Sequence, residues 1–104
     1  MRPMTRRYLL VKVVCDRKLT NEQFHEALNN SARRYFGELG LSRIDPRIIN
    51  FDAESSTAIV SCERTATSEF ESAMALITGY AETPMSLLVL HVSGTVKGAA
   101  RRKK

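Results

Sequence analysis

The chain has 104 residues, of which 43% are hydrophobic and 26% charged, the size and composition of one soluble globular domain. No apolar run is long enough to span a bilayer, and the short apolar stretch near the N-terminus contains Lys12 and lacks a small-residue cleavage site, so neither a transmembrane protein nor a signal peptide is expected. The net charge of +5 indicates an anionic partner such as RNA, DNA or an anionic membrane, although solvated basic tails would give the same total.

The first two predicted elements are a strand and a helix. Residues 7–14 are rich in β-branched and apolar side chains, which is typical of a strand. Thr20 with Gln23 three residues later matches a capping box, which predicts a helix start. We expect Gly40 to end this helix as its C′ glycine. Apolar residues at three- and four-residue spacing form its predicted buried stripe: Phe24, Leu28, Ala32, Tyr35, Phe36 and Leu39.

The middle of the chain predicts a β-hairpin. Asp45-Pro46 marks a break, and residues 47–52 follow as a short strand. Residues 53–56 are turn-like, and residues 57–63 resume as a third strand. Two short strands separated by four mostly polar residues are typical of a hairpin.

A second helix and a last strand complete the pattern. Ser68 and Glu71 match a second capping box, and Pro84 separates this helix from a strand over 86–92. Gly94 and Gly98 are expected to loosen the chain before its basic end. The predicted apolar stripe of the second helix consists of Phe70, Ala73, Met74, Ile77 and Tyr80.

The element order β-α-β-β-α-β predicts the fold class. This order is typical of the α+β ferredoxin-like sandwich that RNA-recognition domains share. We expect an antiparallel four-stranded sheet of order 4-1-3-2 with both helices on one face. The chain, 1–104, is then a single domain with short basic N- and C-terminal tails. Because the first and last strands are antiparallel neighbours, both tails should emerge at the same end of the sheet.

Positive charge is concentrated in these tails. Residues 1–7 carry three arginines and residues 95–104 carry five Lys or Arg, whereas residues 8–94 hold eight Lys or Arg against eleven Asp or Glu. Residues 44–94 alone carry two arginines against seven carboxylates, so the hairpin and the second helix should face away from RNA. The predicted RNA-binding residues are Arg2, Arg6, Arg7, Lys97, Arg101, Arg102, Lys103 and Lys104.

The sheet face opposite the helices is predicted to bind protein rather than bases. The third strand has no aromatic residue and the first offers only Tyr8, so base stacking is not expected. Strand alternation places mostly apolar side chains on this open face, which is typical of an interface. The predicted interface residues are Tyr8, Leu10, Ile59, Leu87, Val89 and His91. Two alternatives stay open: a terminal helix covers this face, or the register is shifted by one residue and the faces are exchanged.

Catalytic and metal-binding patterns are not recognisable. His25 and His91 cannot be combined with confidence into a nucleophilic set, and the chain has no Gly-rich phosphate loop. Cys15 and Cys62 are far apart and are expected to be free thiols in a reducing cytoplasm. Two other functions stay open. A small ferredoxin-like hydrolase would need a phosphate loop after the first strand, which residues 15–19 match poorly, and a protein–protein interaction module would bind only protein.

Five segments, in order and over nearly the whole chain, carry a resemblance to a known family. They are Arg6-Arg7-Tyr8-Leu9-Leu10-Val11, Phe36-Gly37-Glu38-Leu39-Gly40-Leu41, Asn50-Phe51-Asp52 with Ala58-Ile59-Val60-Ser61-Cys62, Ala75-Leu76-Ile77-Thr78-Gly79, and Val92-Ser93-Gly94-Thr95-Val96-Lys97. Together they resemble the Pop family of small protein subunits of archaeal and eukaryotic ribonuclease P.

This resemblance implies a non-catalytic subunit of a ribonucleoprotein endonuclease. Ribonuclease P frees the 5′ end of tRNA from its precursor, and the resemblance implies that its RNA performs the cleavage with Mg ions while the protein binds no cofactor. The implied partners are the ribonuclease P RNA and protein component 3, a TIM-barrel-like protein, with self-association into a heterotetramer and indirect contact with precursor tRNA. The implied location is the cytoplasm, with no membrane partner.

Overall fold

The computed structural model describes residues 6–16, 18–76, 79–80 and 83–101, with the backbone alone at 79, 80, 83 and 101. A 3₁₀ turn, Arg64–Ala66, precedes the second helix. The helices and strands, in chain order, are β1 (Arg6–Cys15), α1 (Asn21–Ile44), β2 (Arg47–Asp52), β3 (Thr57–Glu63), α2 (Thr67–Ala75), β4 (Gly79–Tyr80), β5 (Thr83–Ser93) and α3 (Val96–Arg101).

The strands form one antiparallel sheet in the order β2-β3-β1-β5-β4. The predicted α+β class and the predicted order of the four main strands are confirmed, with β5 as the last of the four. The predicted bounds of β2 and β3 also match. The structure adds β4, a two-residue strand that pairs with the beginning of β5 through Gly79 opposite Pro84. Pro84 therefore lies inside the last strand, near its edge, where its missing N–H costs least.

The main core lies between the sheet and the helices α1 and α2. Alternate residues of β1 face it, because successive side chains of a strand point to opposite faces. Phe24 of α1 stacks on Phe51 of β2, with ring centroids 4.7 Å apart and planes 10° from parallel. The largest buried apolar side chains of this layer are Leu9, Val11, Phe24, Ile44, Val60, Phe70 and Met74.

Helix α1 begins where the sequence predicts but ends later. The Oγ1 of Thr20 accepts from the N–H of Gln23 at 3.1 Å, and the N–H of Thr20 donates to Oε1 of Gln23 at 3.0 Å, which confirms the capping box. The prediction that Gly40 ends the helix is wrong. The backbone instead breaks at Gly37 (φ 70°, ψ −179°), resumes a helical path to Ile44, and ends at Asp45. The break turns Leu39 away from the predicted stripe, and its side chain is 88% exposed.

Helix α2 keeps its predicted core residues but not its predicted cap. It begins at Thr67 after the 3₁₀ turn, so Ser68 lies inside the helix and no side chain caps its first turn. Thr67 Oγ1 instead donates to the carbonyl of Arg64 at 2.8 Å. The predicted core residues Phe70, Ala73 and Met74 are buried. The prediction is wrong for Tyr80, which belongs to β4. Ile77 lies outside the described residues.

A bulge in β5 exchanges the faces of its first half. Leu10 pairs with His91 while Val11 pairs with Val89, which leaves Leu90 as the extra residue. Leu87 and Val89 consequently pack against the helix-side core, so their predicted position on the open face is wrong. Leu88 and Leu90 are the exposed apolar residues of this strand, at 52% and 54%. His91 lies beyond the bulge and keeps its predicted face, opposite Leu10.

Helix α3 covers part of the open face. Ala99 of this helix, Leu10 of β1 and Ile59 of β3 are buried together in a second, smaller core, against which Tyr8 is partly buried. Leu10 and Ile59 are therefore not exposed as predicted; the alternative in which a terminal helix folds over this face describes them correctly. Gly98 does not loosen the chain either, because a Cβ at this position would lie 2.1 Å from Ser93 Oγ.

Candidate nucleic-acid interface

Strand pairing brings the described residues of the two basic segments to one end of the sheet. Tyr8, near the start of β1, lies opposite Ser93, the last residue of β5. Helix α3 begins three residues later, and its Lys97 is exposed. For the described residues, the two ends therefore emerge side by side as predicted. Arg101 is described by its backbone alone, and four predicted RNA-binding residues lie outside the described part of the chain: Arg2, Arg102, Lys103 and Lys104.

Arg6 is held by the protein rather than presented to solvent. Its Nη1 donates to Asp45 Oδ2 at 2.9 Å, and its Nη2 donates to the Asp45 carbonyl at 2.7 Å. Its Nε and Nη2 also donate to Ser61 Oγ, at 3.2 and 2.7 Å. The side chain is 15% exposed, and most of its donors are occupied. Arg6 can contribute charge to this end of the sheet, but its guanidinium has little capacity for direct phosphate contacts.

Arg47, which the sequence analysis did not select, occupies the neighbouring position. It lies opposite Ser61 on β2, and its Nη2 donates to the same Asp45 Oδ2 at 3.0 Å. Its side chain remains 62% exposed. Because one carboxylate faces two guanidinium groups, one positive charge of this cluster is left unbalanced. The predicted strand order implies this position: the second strand pairs with the third and the third with the first, so the first and second strands start at the same end of the sheet.

Two further arginines lie at the same end of the sheet. Arg7 is half-buried opposite Cys62 of β3, and Arg64 is exposed directly after the end of β3. We call the group consisting of Arg6, Arg7, Arg47, Arg64 and Lys97 the cationic end of the sheet. The carboxylates of Asp45 and Glu63 lie among these residues, with Glu63 opposite Arg6.

Two other cationic side chains are held by contacts within the protein. Arg43 at the end of α1 donates from Nη1 and Nη2 to the two carboxylate oxygens of Glu69, at 2.8 and 2.7 Å. This hydrogen-bonded pair lowers the pKa of Glu69 and raises that of Arg43. Lys12 donates to the carbonyl of Ser55 at 2.8 Å at the opposite end of the strands.

The described residues show structural thiols and no assembled metal site. Cys62 is buried, and desolvation raises the pKa of its thiol, which keeps it protonated and unreactive. Neither Cys62 nor Cys15 forms a disulfide. No group of three or more His, Cys, Asp or Glu suited to a metal ion lies among the described residues. Within the same part of the chain, no helix has the length and apolarity needed to cross a membrane.

The family model of the Rpp14/Pop5 family matches residues 7–103. A Pyrococcus furiosus protein named ribonuclease P protein component 2 is 30% identical over 97 residues, which cover 93% of this chain and 81% of the relative. A Methanocaldococcus jannaschii protein of the same name is 26% identical, covering 90% of this chain and 69% of the relative. A chain in the cryo-EM structure of yeast ribonuclease MRP superposes with a TM-score of 0.74 at 14% identity, covering 91% of this chain and 78% of that one. The resemblance predicted from the sequence is confirmed, and the chain belongs to the Rpp14/Pop5 family.

Proposed function

We propose that this chain binds and stabilises the catalytic RNA of ribonuclease P, the enzyme that cleaves the 5′ leader from precursor tRNA. Its place as a protein subunit of ribonuclease P follows from the family and from relatives named component 2 of that enzyme. The observation that supports RNA binding is the cationic end of the sheet, where Tyr8 pairs with Ser93 and brings the two basic segments together. Such a cluster neutralises phosphates without reading bases.

The proposed subunit is not catalytic on its own. Its two histidines lie on opposite sides of the sheet, His25 on α1 and His91 opposite Leu10 on the open face. We infer that cleavage belongs to the RNA, which binds the Mg ions the reaction uses, and that the protein binds no cofactor. The role of the chain is to lower the electrostatic cost of folding a polyanion around its substrate.

We infer that protein component 3 is a partner of this chain and that two copies of each assemble into a heterotetramer. The location inferred for this assembly is the cytoplasm, and its contact with precursor tRNA is indirect. Exposed apolar residues on both layers support an assembly role, since large apolar side chains in water mark interaction surfaces. Leu88 and Leu90 are exposed on β5, and Leu39 and Leu76 are exposed on the helix side. These residues replace the buried Leu10, Ile59 and Leu87 as candidates for protein contacts.

A magnesium titration of precursor-tRNA cleavage tests the proposal. Ribonuclease P RNA is assayed alone, with component 3, and with component 3 plus this chain. We expect the chain to lower the Mg²⁺ concentration for half-maximal cleavage several-fold, because its cations replace part of the counterion requirement. A variant with Arg7→Gln and Lys97→Gln should need more Mg²⁺, whereas Arg34→Gln on α1 should not. If the chain leaves the titration unchanged, RNA stabilisation is refuted, and cleavage by the chain alone would indicate a hydrolase.

A further inference from the structure

The two arginines of the hairpin lie at its open end, together with the carboxylates of Asp45 and Glu63. Residues 44–94 contain two cationic side chains, Arg47 and Arg64. Arg47 begins β2 and Arg64 follows the last residue of β3, so both lie at the end of the sheet where β1 begins. The carboxylates of Asp52 and Glu54 lie at the opposite end of the hairpin, at its turn. The open end of the hairpin therefore carries two cations, which the prediction of a hairpin that faces away from RNA does not take into account.

The two arginines widen the cationic end across the sheet. Arg47, Ser61, Tyr8 and Ser93 are successive partners across β2, β3, β1 and β5. Neighbouring strands are about 4.8 Å apart, so Arg47 lies roughly 14 Å from the end of β5. Lys97 follows β5 on one side of this row and Arg47 stands at the other. A phosphate chain crossing the row would therefore meet a cation at each side of the sheet.

Arg47 is exposed and shares the carboxylate of Asp45 with Arg6. Asp45 accepts one of its N–H groups at 3.0 Å while also accepting Arg6 at 2.9 Å. An exposed ion pair of this kind adds little to the stability of a protein, so a phosphate can displace it readily. A guanidinium offers several donors in a plane and binds phosphate oxygens in pairs. The remaining N–H groups of Arg47 lie on a side chain that is 62% exposed.

We propose that Arg47 and Arg64 contact RNA phosphates directly and form the hairpin side of this chain's RNA interface. This inference rests on the proposed function, because it assumes that RNA binds at the cationic end. Within the cationic end, Arg6 has a structural role because it holds the side chain and carbonyl of Asp45, whereas Arg47 presents its guanidinium to RNA. Arg64 extends the surface from the sheet toward α2.

The test is the salt dependence of RNA binding by the full chain. Each protein is fluorescently labelled and titrated with ribonuclease P RNA at salt concentrations from about 50 to about 200 mM, where phosphate contacts dominate the salt dependence of binding. The proteins compared are the wild type, Arg47→Gln, Arg64→Gln, Arg47→Lys and Arg34→Gln. Each lost phosphate contact should reduce the slope of log K against log salt by about 0.7–0.9. We expect that reduction for Arg47→Gln and Arg64→Gln, with the slope restored by Arg47→Lys. Arg34→Gln removes the same charge from an exposed position of α1 and should leave the slope unchanged.

The outcomes separate this inference from the proposed function. If the wild type binds RNA but Arg47→Gln and Arg64→Gln match Arg34→Gln, the inference is overturned and the proposed function stands. If the wild type does not bind, both fail. Poly-glutamate serves as a second probe: variants that lose poly-glutamate binding and keep the wild-type RNA slope would show that the surface binds acidic protein, which also overturns the inference. Thermal melts of Arg47→Lys and Arg47→Gln verify that both variants are folded.

Discussion

The guanidinium of Arg6 donates hydrogen bonds to both the carboxylate and the backbone carbonyl of Asp45, with Nη1 2.9 Å from Oδ2 and Nη2 2.7 Å from the carbonyl oxygen. Asp45 is the residue that ends α1, in a left-handed conformation with φ 50°. Its N–H donates to the carbonyl of Leu41 at 2.7 Å. The first residue of β1 therefore fixes the end of α1 and the entry into β2, 39 positions along the chain.

Arg6→Ala should destabilise the fold. The substitution removes several charge-assisted hydrogen bonds from a side chain that is mostly buried and leaves Ser61 Oγ, in a buried residue, without its donors. We expect the free energy of unfolding to fall by about 2–3 kcal/mol, measured by urea denaturation. Arg47→Ala is the matched control, since its exposed pair with the same carboxylate should contribute about 1 kcal/mol or less. Equal losses in the two variants would contradict the assignment of Arg6 as the structural partner.

The fold was predictable where local signals agree with one another. The strands 47–52 and 57–63 matched because turn residues bound them, and the start of α1 matched because Thr20 and Gln23 cap it reciprocally. The two failures in α1, its predicted end at Gly40 and the predicted burial of Leu39, have a common cause. A glycine inside an amphipathic pattern can break a helix or end it, and periodicity alone does not distinguish Gly37 from Gly40.

Gly37→Ala should lower the free energy of unfolding through backbone strain rather than through a steric clash. A Cβ at Gly37 would meet no atom within 4 Å, but its φ of 70° with ψ of −179° is a region open essentially to glycine alone. We expect a loss of roughly 1–3 kcal/mol in the free energy of unfolding. Asn30→Ala, at an exposed site on the same helix, should have little effect in the same denaturation assay. A Gly37→Ala variant as stable as the wild type would mean that the helix runs straight through residue 37.

Gly98→Ala should weaken the docking of α3. In an exposed helix, replacing glycine by alanine raises the free energy of unfolding by about 1 kcal/mol. The sign of the change therefore tells whether Gly98 is exposed or in close contact with the sheet. Here the added Cβ would lie 2.1 Å from Ser93 Oγ and 3.2 Å from Ser93 Cβ. Either Ser93 rotates and loses its hydrogen bond from the Thr95 N–H, or α3 moves away from the sheet. Hydrogen exchange should then show faster exchange at Leu10 and Ile59, which α3 covers. A stabilised Gly98→Ala variant with unchanged exchange would contradict the close contact between α3 and β5.

The Arg43–Glu69 pair should make stability depend on pH in the acid range. The hydrogen bonds from Arg43 lower the pKa of Glu69 from its ordinary value of 4.5. A carboxyl with a lowered pKa in the folded state contributes fully above that ordinary value and loses its contribution as the pH falls through the folded pKa. The stability difference between wild type and Glu69→Gln should therefore shrink below pH 4.5. Both groups are exposed, so the difference should also shrink in high salt. In a double-mutant cycle with Arg43→Gln, a coupling that stays constant as the pH falls below 4.5 and as salt is added would contradict this interpretation.

The candidate site was predictable in its position and not in its members. Chain order alone placed the start of β1 beside the end of β5, because antiparallel neighbours in this fold share an end. Which arginine faces solvent depended on contacts between distant residues. Arg6 donates its N–H groups to Asp45 and Ser61, whereas Arg47 donates one N–H to the same carboxylate and remains exposed. No local pattern in the sequence carries that information.

Leu87→Ala and Leu88→Ala form a matched pair that tests which face each side chain occupies. The bulge at Leu90 turns Leu87 into the helix-side core, where it is 5% exposed, and leaves Leu88 52% exposed. Truncating a buried leucine costs about 2–5 kcal/mol because a cavity remains, whereas an exposed leucine loses little. Urea denaturation should therefore show a large loss for Leu87→Ala and a change below about 1 kcal/mol for Leu88→Ala. The reverse order would mean that β5 pairs with β1 without the bulge, since a shift of one residue exchanges every side chain between the two faces.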